Sequence, residues 1–266
     1  MASLLLGRAR RFRLERMPDL VSRVNSLEAD HILITGDLTT TALPSEFRAA
    51  RVALADWLGD AARTTVIPGN HDRYTLYAHR SRRFEHYFGE FSPQRAYPWL
   101  RRLDDDTAIL GLDPTRSGIS ASGKLPRSQL IRAREIVAAA GRIARLLIAC
   151  HYPVAVPPHF EREYSHKPLV NRDELADWLR SIGPHLYCCG HVHAAWAFQP
   201  VQVPGQLCVN AGAPLLRDRT GERPPGFLEI SLEGNTTGVR HHYWTDEGWK
   251  AQELYHAPDF FTGQQV

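Results

Sequence analysis

Residues 64–72 read TTVIPGNHD: an apolar run that stops at Pro68-Gly69 and delivers Asn70, His71 and Asp72 into one tight turn. Pro fixes φ and Gly permits a sharp reversal, so the strand ends where the chemistry begins. Residues 32–38 (ILITGDL) and 187–193 (YCCGHVH) follow the same plan. Each is an apolar run ending in Gly and then in a residue able to bind metal or move a proton. Three strands with such ends predict one site assembled along one edge of a sheet.

Before that strand, Leu14, Met17, Leu20, Val21, Val24 and Leu27 keep a helical period over 14–28, followed by a strand at 31–35. Ser45 is expected to cap a second helix with Phe47, Ala50, Leu54, Trp57 and Leu58 on one face, Glu46 favouring its positive end. After it, residues 74–104 read as irregular apart from a helix near 79–88. A strand at 107–112 and a helix from Pro126 to Gly141 precede a strand at 145–150, which ends at His151. Asn171 and Glu174 resemble a capping box for a helix at 172–182. Strands are expected at 185–189, 195–202, 206–210, 226–232 and 236–244. Strand–helix alternation in the first two thirds implies βαβ units and a largely parallel sheet, with the strand-rich final third supplying a second one. The expectation is one α/β domain over 1–245 and a loosely ordered tail over 246–266.

The bulk numbers are those of an ordinary globular chain: 266 residues, 43% hydrophobic, 23% charged, net +3. Nearly all of the positive charge is Arg, since Lys occurs only at 124, 167 and 250. The cluster Arg8, Arg10, Arg11, Arg13 and Arg16 reads as a solvated helix face; a nucleic-acid partner would call for aromatic interleaving or a larger charge. No run approaches the roughly 20 apolar residues of a membrane span, and the start lacks the layout of a secretory signal. The expected compartment is cytoplasmic. Cys150, Cys188, Cys189 and Cys208 lie in apolar runs without disulfide spacing, and the adjacent pair points to opposite faces, so packing is their expected role.

Asp37, Asn70, His71, Asp72, His151, His191 and His193 all fall at strand ends. A carboxylate, an amide oxygen and imidazoles form a mixed oxygen/nitrogen set that suits divalent Mn, Fe, Zn or Ni. Asp37 has two oxygens and can bridge two ions, while His191 and His193 sit two apart and face one way on extended backbone. His71 is expected to point to substrate and protonate a leaving oxygen, with Asp72 fixing its orientation. A lone Gly-Asp after a strand is usually just a turn, and a lone strand-end His usually a hydrogen bonder. GNHD is far more specific, and the ordered combination more so again.

GDLT (36–39), GNHD (69–72), HYP (151–153) and GHVH (190–193) resemble the calcineurin-like metallophosphoesterases in content and order over about residues 30–212. The resemblance implies a four-layer αββα sandwich of two mixed β-sheets flanked by helices. It also implies a dinuclear centre that hydrolyses phosphomonoesters or phosphodiesters. Asp37 would bridge two divalent ions; Asn70, His151 and His191 would hold the second ion and His193 the first; His71 would be the catalytic imidazole. The tracts around 30–47, GLDPTRSG and VNAG bring it nearest to members grouped with cyclic-nucleotide phosphodiesterases. Such proteins open with an Asp-x-His strand that none of the residues before Asp37 supplies. A coding sequence that begins further upstream is the favoured explanation, a degenerate first metal site the other. The implied partner is a small phosphorylated substrate, without membrane or nucleic acid; a metal-binding scaffold without turnover and a nuclease are the alternatives.

Overall fold

The computed structural model describes residues 12–118, 121–218 and 220–262; Arg8, Arg10 and Arg11 of the basic cluster lie outside them. A 3₁₀ turn at Leu14–Arg16 leads into α1 (Met17–Asn25), β1 (Ile32–Ile34), α2 (Pro44–Ala53), α3 (Ala55–Leu58) and β2 (Thr64–Val66). Then come α4 (Leu76–Arg80), α5 (Arg83–Phe88), β3 (Trp99–Arg102), β4 (Thr107–Leu112), α6 (Arg127–Ala139) and β5 (Arg145–Cys150). The chain continues through α7 (Glu161–Tyr164), α8 (Arg172–Leu179), β6 (His185–Cys189), β7 (Ala195–Phe198) and β8 (Gln206–Ala211). It finishes with β9 (Gly226–Glu233), β10 (Thr236–Thr245) and β11 (Gly248–Ala257).

The fold is mixed α/β, with sheets flanked by helices. Six strands form one sheet in the order β3-β4-β5-β6-β8-β7, parallel through its centre and antiparallel at both edges. β9, β10 and β11 form an antiparallel sheet, and β1 pairs with β2 in parallel. The partition differs from the expected one. β6, β7 and β8 join the large sheet rather than a second one, because α8 carries the chain from β5 across to a parallel β6. Only the strands from Gly226 onward build the separate antiparallel sheet. The second layer is in two pieces, since β1 and β2 share no ladder with β9–β11 among the described residues.

Packing follows from these layers. Ile109, Leu147, Leu186 and Val209 on one face of the large sheet meet Leu33, Ile67, Ile230 and Val239 of the second layer. The opposite face, with Leu110, Ile148 and Tyr187, is covered by Leu130 and Ala133 of α6 and by Leu175, Trp178 and Leu179 of α8. Phe47 of α2 and Phe84 and Phe88 of α5 close over Val66 on the far side.

Residues 246–266 are not a loose tail as far as they are described. β11 pairs along β10, its Tyr255 enters the inter-sheet core, and Phe260 is buried beside it. The turn between them uses Gly248 at φ +108, a conformation Gly adopts without penalty. Two expected caps also differ. α2 starts at Pro44 with Leu43 as its cap, two residues early, and Glu46 reaches back to the Leu43 N–H at 2.9 Å. Asn171 spends its amide on Leu125 N–H and C=O instead of on the first turn of α8.

His31 and His241 are held neutral: burial first, then the cations Arg101 and Arg63, lowers His31 to about 4. Burial and then His242 lower His241 to about 4. Both pKa values lie below the unfolded value of 6.5, so their contribution is present above pH 6.5 and lost as pH falls toward 4. The urea midpoint is therefore expected to drop between pH 6.5 and 4, and the His31→Gln/His241→Gln double variant to show a flatter profile.

Candidate metal centre

The ends of β1, β5 and β6 are stitched together by three hydrogen bonds. Thr35 Oγ1 donates to the Cys189 carbonyl at 3.3 Å, His151 Nδ1 donates to the Thr35 carbonyl at 2.7 Å, and Gly190 N donates to the His151 carbonyl at 3.0 Å. β2 joins through a backbone contact so close that a Cβ on Gly36 would stand 2.3 Å from Gly69 N. Gly36 also needs φ +97, a value only Gly takes freely.

Asp72 locks these two turns together. Its carboxylate is fully buried and accepts from the backbone N–H groups of Asp37 (2.8 Å), Leu38 (3.3 Å), Thr39 (2.9 Å) and Gly69 (2.9 Å). The Thr39 hydroxyl adds a bond of 3.0 Å. Burial and then the Asp37 charge push Asp72 up to about 6, against the pull of the Gly69 N–H. The expected role of Asp72 as the group orienting His71 is thus corrected. The His71 Nδ1 donates to the Thr40 carbonyl at 2.8 Å, and its ring stacks on Tyr74 at 5.8 Å. Asp72 has no capacity left for it. Behind the turn, buried Arg73 binds Glu85 at 2.7 Å and Asp113 at 2.9 Å, tying it to α5 and the end of β4.

The expected ligands Asp37, Asn70, His151 and His191 converge. Asn70 Oδ1 lies 3.1 Å from His151 Nε2 and 3.0 Å from His191 Nδ1, and Asp37 Oδ2 lies 3.4 Å from His151 Nε2. The other nitrogen of each imidazole is committed: His151 Nδ1 to Thr35, and His191 Nε2 to the Lys167 carbonyl at 2.9 Å. A carbonyl only accepts, so each of those nitrogens carries the hydrogen and the facing nitrogen offers a lone pair. One carboxylate oxygen, one amide oxygen and two imidazole nitrogens therefore lie near one another, a donor mix of the kind that suits a divalent transition-metal ion. Asp37 and His191 both hold left-handed backbone, φ 59 and 68. Such conformations in non-Gly residues cost of order 1–3 kcal/mol and gather at functional sites.

Electrostatics favour ligation at His191 and leave His151 sharing a proton with Asp37 that a cation would have to displace. Burial, followed by the neighbouring His151, lowers His191 to about 3 and keeps it neutral. Burial would raise Asp37, but the His151 imidazole outweighs it and holds Asp37 well below the usual carboxylate range. Burial would lower His151, but Asp37 raises it. His193 lies in the same field, with Asp37, Lys167, His71 and His151 all acting on it, and burial lowers it. Among the described residues no three His, Cys, Asp or Glu side chains stand at ligating distance from one point. The convergent set is completed by the Asn70 amide, and His193 belongs to the same field without closing on it.

The backbone carbonyls of Thr35, Thr40 and Lys167 were invisible to sequence reasoning, because a carbonyl carries no residue signature. Lys167 lies in the connection between α7 and α8. The nearest signal was the scarcity of Lys in a chain that otherwise uses Arg.

A donor set of this type stands at the strand ends of a layered α/β fold. The calcineurin-like phosphoesterase profile matches residues 10–195, more than half of the chain, and the chain belongs to that family. Among solved structures, a dimetal phosphatase from Danio rerio is similar with a TM-score of 0.63 at 12% identity, covering 92% of this chain and 89% of that one. A Vps29 double mutant from Entamoeba histolytica matches with a TM-score of 0.42 at 12% identity, covering 91% and 89%. A putative 5′-nucleotidase from Staphylococcus aureus matches with a TM-score of 0.41 at 13% identity, covering 90% of this chain and 48% of that one. Comparison with curated proteins finds no match. Among the described residues no helix is long and apolar enough to cross a membrane.

Asp72→Asn puts an amide NH₂ among backbone donors. It is expected to cost about 2–4 kcal/mol of stability, the scale of breaking a buried charge-assisted network, and to lower metal content with it. Calorimetry and metal analysis check this; a variant as stable as wild type, impaired only in turnover, would restore the orienting role.

Proposed function

We propose that the protein is a metal-dependent phosphoester hydrolase whose working centre holds two divalent ions. The observation that carries the reading is the convergence of Asp37, Asn70, His151 and His191 with their protons turned outward. Asp37, Asn70, His151 and His191 would hold one ion, and Asp37 with His193 would contribute to the other. The bound ions supply Lewis acidity for attack of water on phosphorus, the role a metal pair plays in phosphoryl hydrolysis.

The chain's own groups do the rest. His71 is the candidate catalytic imidazole. Its backbone N–H donates to Asp37 Oδ1 at 2.9 Å, and its Nδ1–H is fixed on Thr40, so Nε2 is the atom free to carry a proton to a leaving oxygen. Tyr74 lies parallel to the ring at 6° and limits its rotation. The half-buried position of His71 leaves it reachable by substrate while Asn70 and His151 beneath it are buried. Phosphomonoesters and phosphodiesters, cyclic nucleotides included, are the substrate range this supports. A cytoplasmic setting follows only from the sequence reading.

A second reading has one observation behind it. Among the described residues no further carboxylate joins Asp37 and His193 within ligating distance. A protein that holds a single ion firmly and serves as a scaffold would show the same geometry.

His71→Ala is expected to reduce turnover of p-nitrophenyl phosphate or bis-p-nitrophenyl phosphate with Mn²⁺ by about 10²–10⁴-fold, with metal content near wild type. Asp37→Asn is expected to lower the metal content itself. Metal loss in His71→Ala would make that residue a ligand, and wild-type protein inert toward both esters would favour the scaffold.

A further inference from the structure

We propose that Glu46 is the positioning residue of His71: its carboxylate fixes the peptide between Thr40 and Thr41, and the carbonyl of that peptide selects the tautomer of the imidazole. The inference rests on the catalytic role of His71 read above. The Thr40 C=O and the Thr41 N–H belong to one planar trans unit and point in opposite directions. On one side the carbonyl takes the His71 Nδ1–H at 2.8 Å. On the other, the Thr41 N–H donates to Glu46 Oε2 at 3.1 Å. Carboxylate, peptide and imidazole thus form one chain of hydrogen bonds, in which each bond polarises the next.

Glu46 holds more than that one peptide. It stands half-buried in the first turn of α2, and its oxygens also accept the N–H groups of Thr40 at 3.2 Å and Leu43 at 2.9 Å. The Thr41 hydroxyl adds a bond of 3.0 Å. The N–H of Ala42 goes to Thr39 Oγ1 at 3.3 Å. Every backbone N–H from Thr40 to Leu43 therefore ends on a side-chain oxygen, and three of the four end on Glu46. Ala42 is fully buried with φ +57, and Arg83 holds its carbonyl. A left-handed alanine costs free energy and persists only where its surroundings enforce it. The loop that carries the Thr40 carbonyl is thus held in one shape.

The geometry separates this role from simple helix capping. A cap needs the carboxylate only on the Leu43 N–H, whereas the bonds to Thr40 and Thr41 lie outside the helix and lead to the site. Other groups already place the rest of His71. Its N–H is on Asp37 Oδ1, its carbonyl takes Thr39 Oγ1 at 3.1 Å, and its ring lies against Tyr74. None of these contacts is a bond to a ring nitrogen, so none chooses between the two tautomers. The Thr40 carbonyl makes that choice, since a carbonyl only accepts and so keeps the hydrogen on Nδ1. Were the peptide to turn, Nδ1 would lose its acceptor and the hydrogen would be free to sit on Nε2. The nitrogen meant to take up and return the proton would then be blocked in the neutral ring.

The test compares wild type with Glu46→Gln, His71→Ala and the double variant. Glutamine keeps the length of the side chain but turns an NH₂ toward N–H donors, so it cannot hold the loop as the carboxylate does. The first readout is ¹⁵N resonance of Zn²⁺-loaded protein labelled in histidine, at a pH where the ring is neutral, with His71 identified by its absence from His71→Ala. Wild type is expected to carry the hydrogen on Nδ1 alone, and Glu46→Gln to show a mixture of both tautomers. With Mn²⁺, Glu46→Gln is expected to lower kcat for p-nitrophenyl phosphate by about 10–100-fold, the scale of a misplaced catalytic group, with KM and metal content near wild type. In the His71→Ala background the same substitution is expected to change kcat by less than about twofold, because groups that act through one another are not additive. Glu46→Asp keeps the carboxylate on a shorter stem and is expected to recover part of kcat and of the single tautomer; it carries the same comparison should Glu46→Gln not fold. A wild-type tautomer in Glu46→Gln, loss of bound metal, an effect on KM alone, or an equal loss of kcat with and without His71 would overturn the assignment. Should wild type leave the ester untouched while the tautomer still depends on Glu46, the hydrolase reading fails and the positioning role stands.

Discussion

The Nδ1–H of His151 and the Nε2–H of His191 each end on a backbone carbonyl, Thr35 at 2.7 Å and Lys167 at 2.9 Å, and what the centre can bind follows from that. Either ring could in principle turn a proton inward. When both rings are neutral, with their protons held outside, the inward nitrogens meet Asn70 Oδ1 at 3.1 and 3.0 Å with lone pairs only. Acceptors facing acceptors are mutually unfavourable unless a cation or proton stands among them. The Asp37 carboxylate, drawn well below the usual range by His151, adds the negative charge that a divalent ion requires.

Holding that arrangement takes the layered fold. Thr35 belongs to the end of β1, His151 to the end of β5 and His191 to the end of β6, so the carbonyl anchors work only while both layers stay in contact. The core between them, with Leu33 and Ile67 against Leu147 and Leu186, keeps that contact. At the rim, the Asp72 carboxylate and the abutting backbones of Gly36 and Gly69 hold the two turns at a separation no side chain would allow. The left-handed backbone at Asp37 and His191 is the local strain this packing sustains.

Much of this was legible in the sequence, for identifiable reasons. An apolar run ending in Gly and a polar residue marks a strand end whether or not its neighbours are known, so the positions of β1, β2, β5 and β6 and their donors could be read directly. Sheet membership could not. Nothing in YCC (187–189) says that β6 pairs with β5 rather than with a strand further along, since that depends on where α8 delivers the chain. β11 escapes a reading of the sequence because its middle, Lys250 to Glu253, is exposed on both faces and interrupts the alternation that Trp249 and Tyr255 would otherwise declare. The roles of Asp72 and Lys167 also depend on partners far along the chain. Asp72 sits beside His71 in sequence, yet its oxygens serve residues 37–39, and Lys167 meets His191 across 24 positions.

The most direct test of the centre is pulsed electron paramagnetic resonance of the protein loaded with Mn²⁺. Coupling of the ion to imidazole nitrogen is expected, and weaker coupling in each of His151→Ala and His191→Ala. Mn²⁺ bound with oxygen ligands alone, its spectrum indifferent to both substitutions, would contradict the convergence of lone pairs on which the account stands.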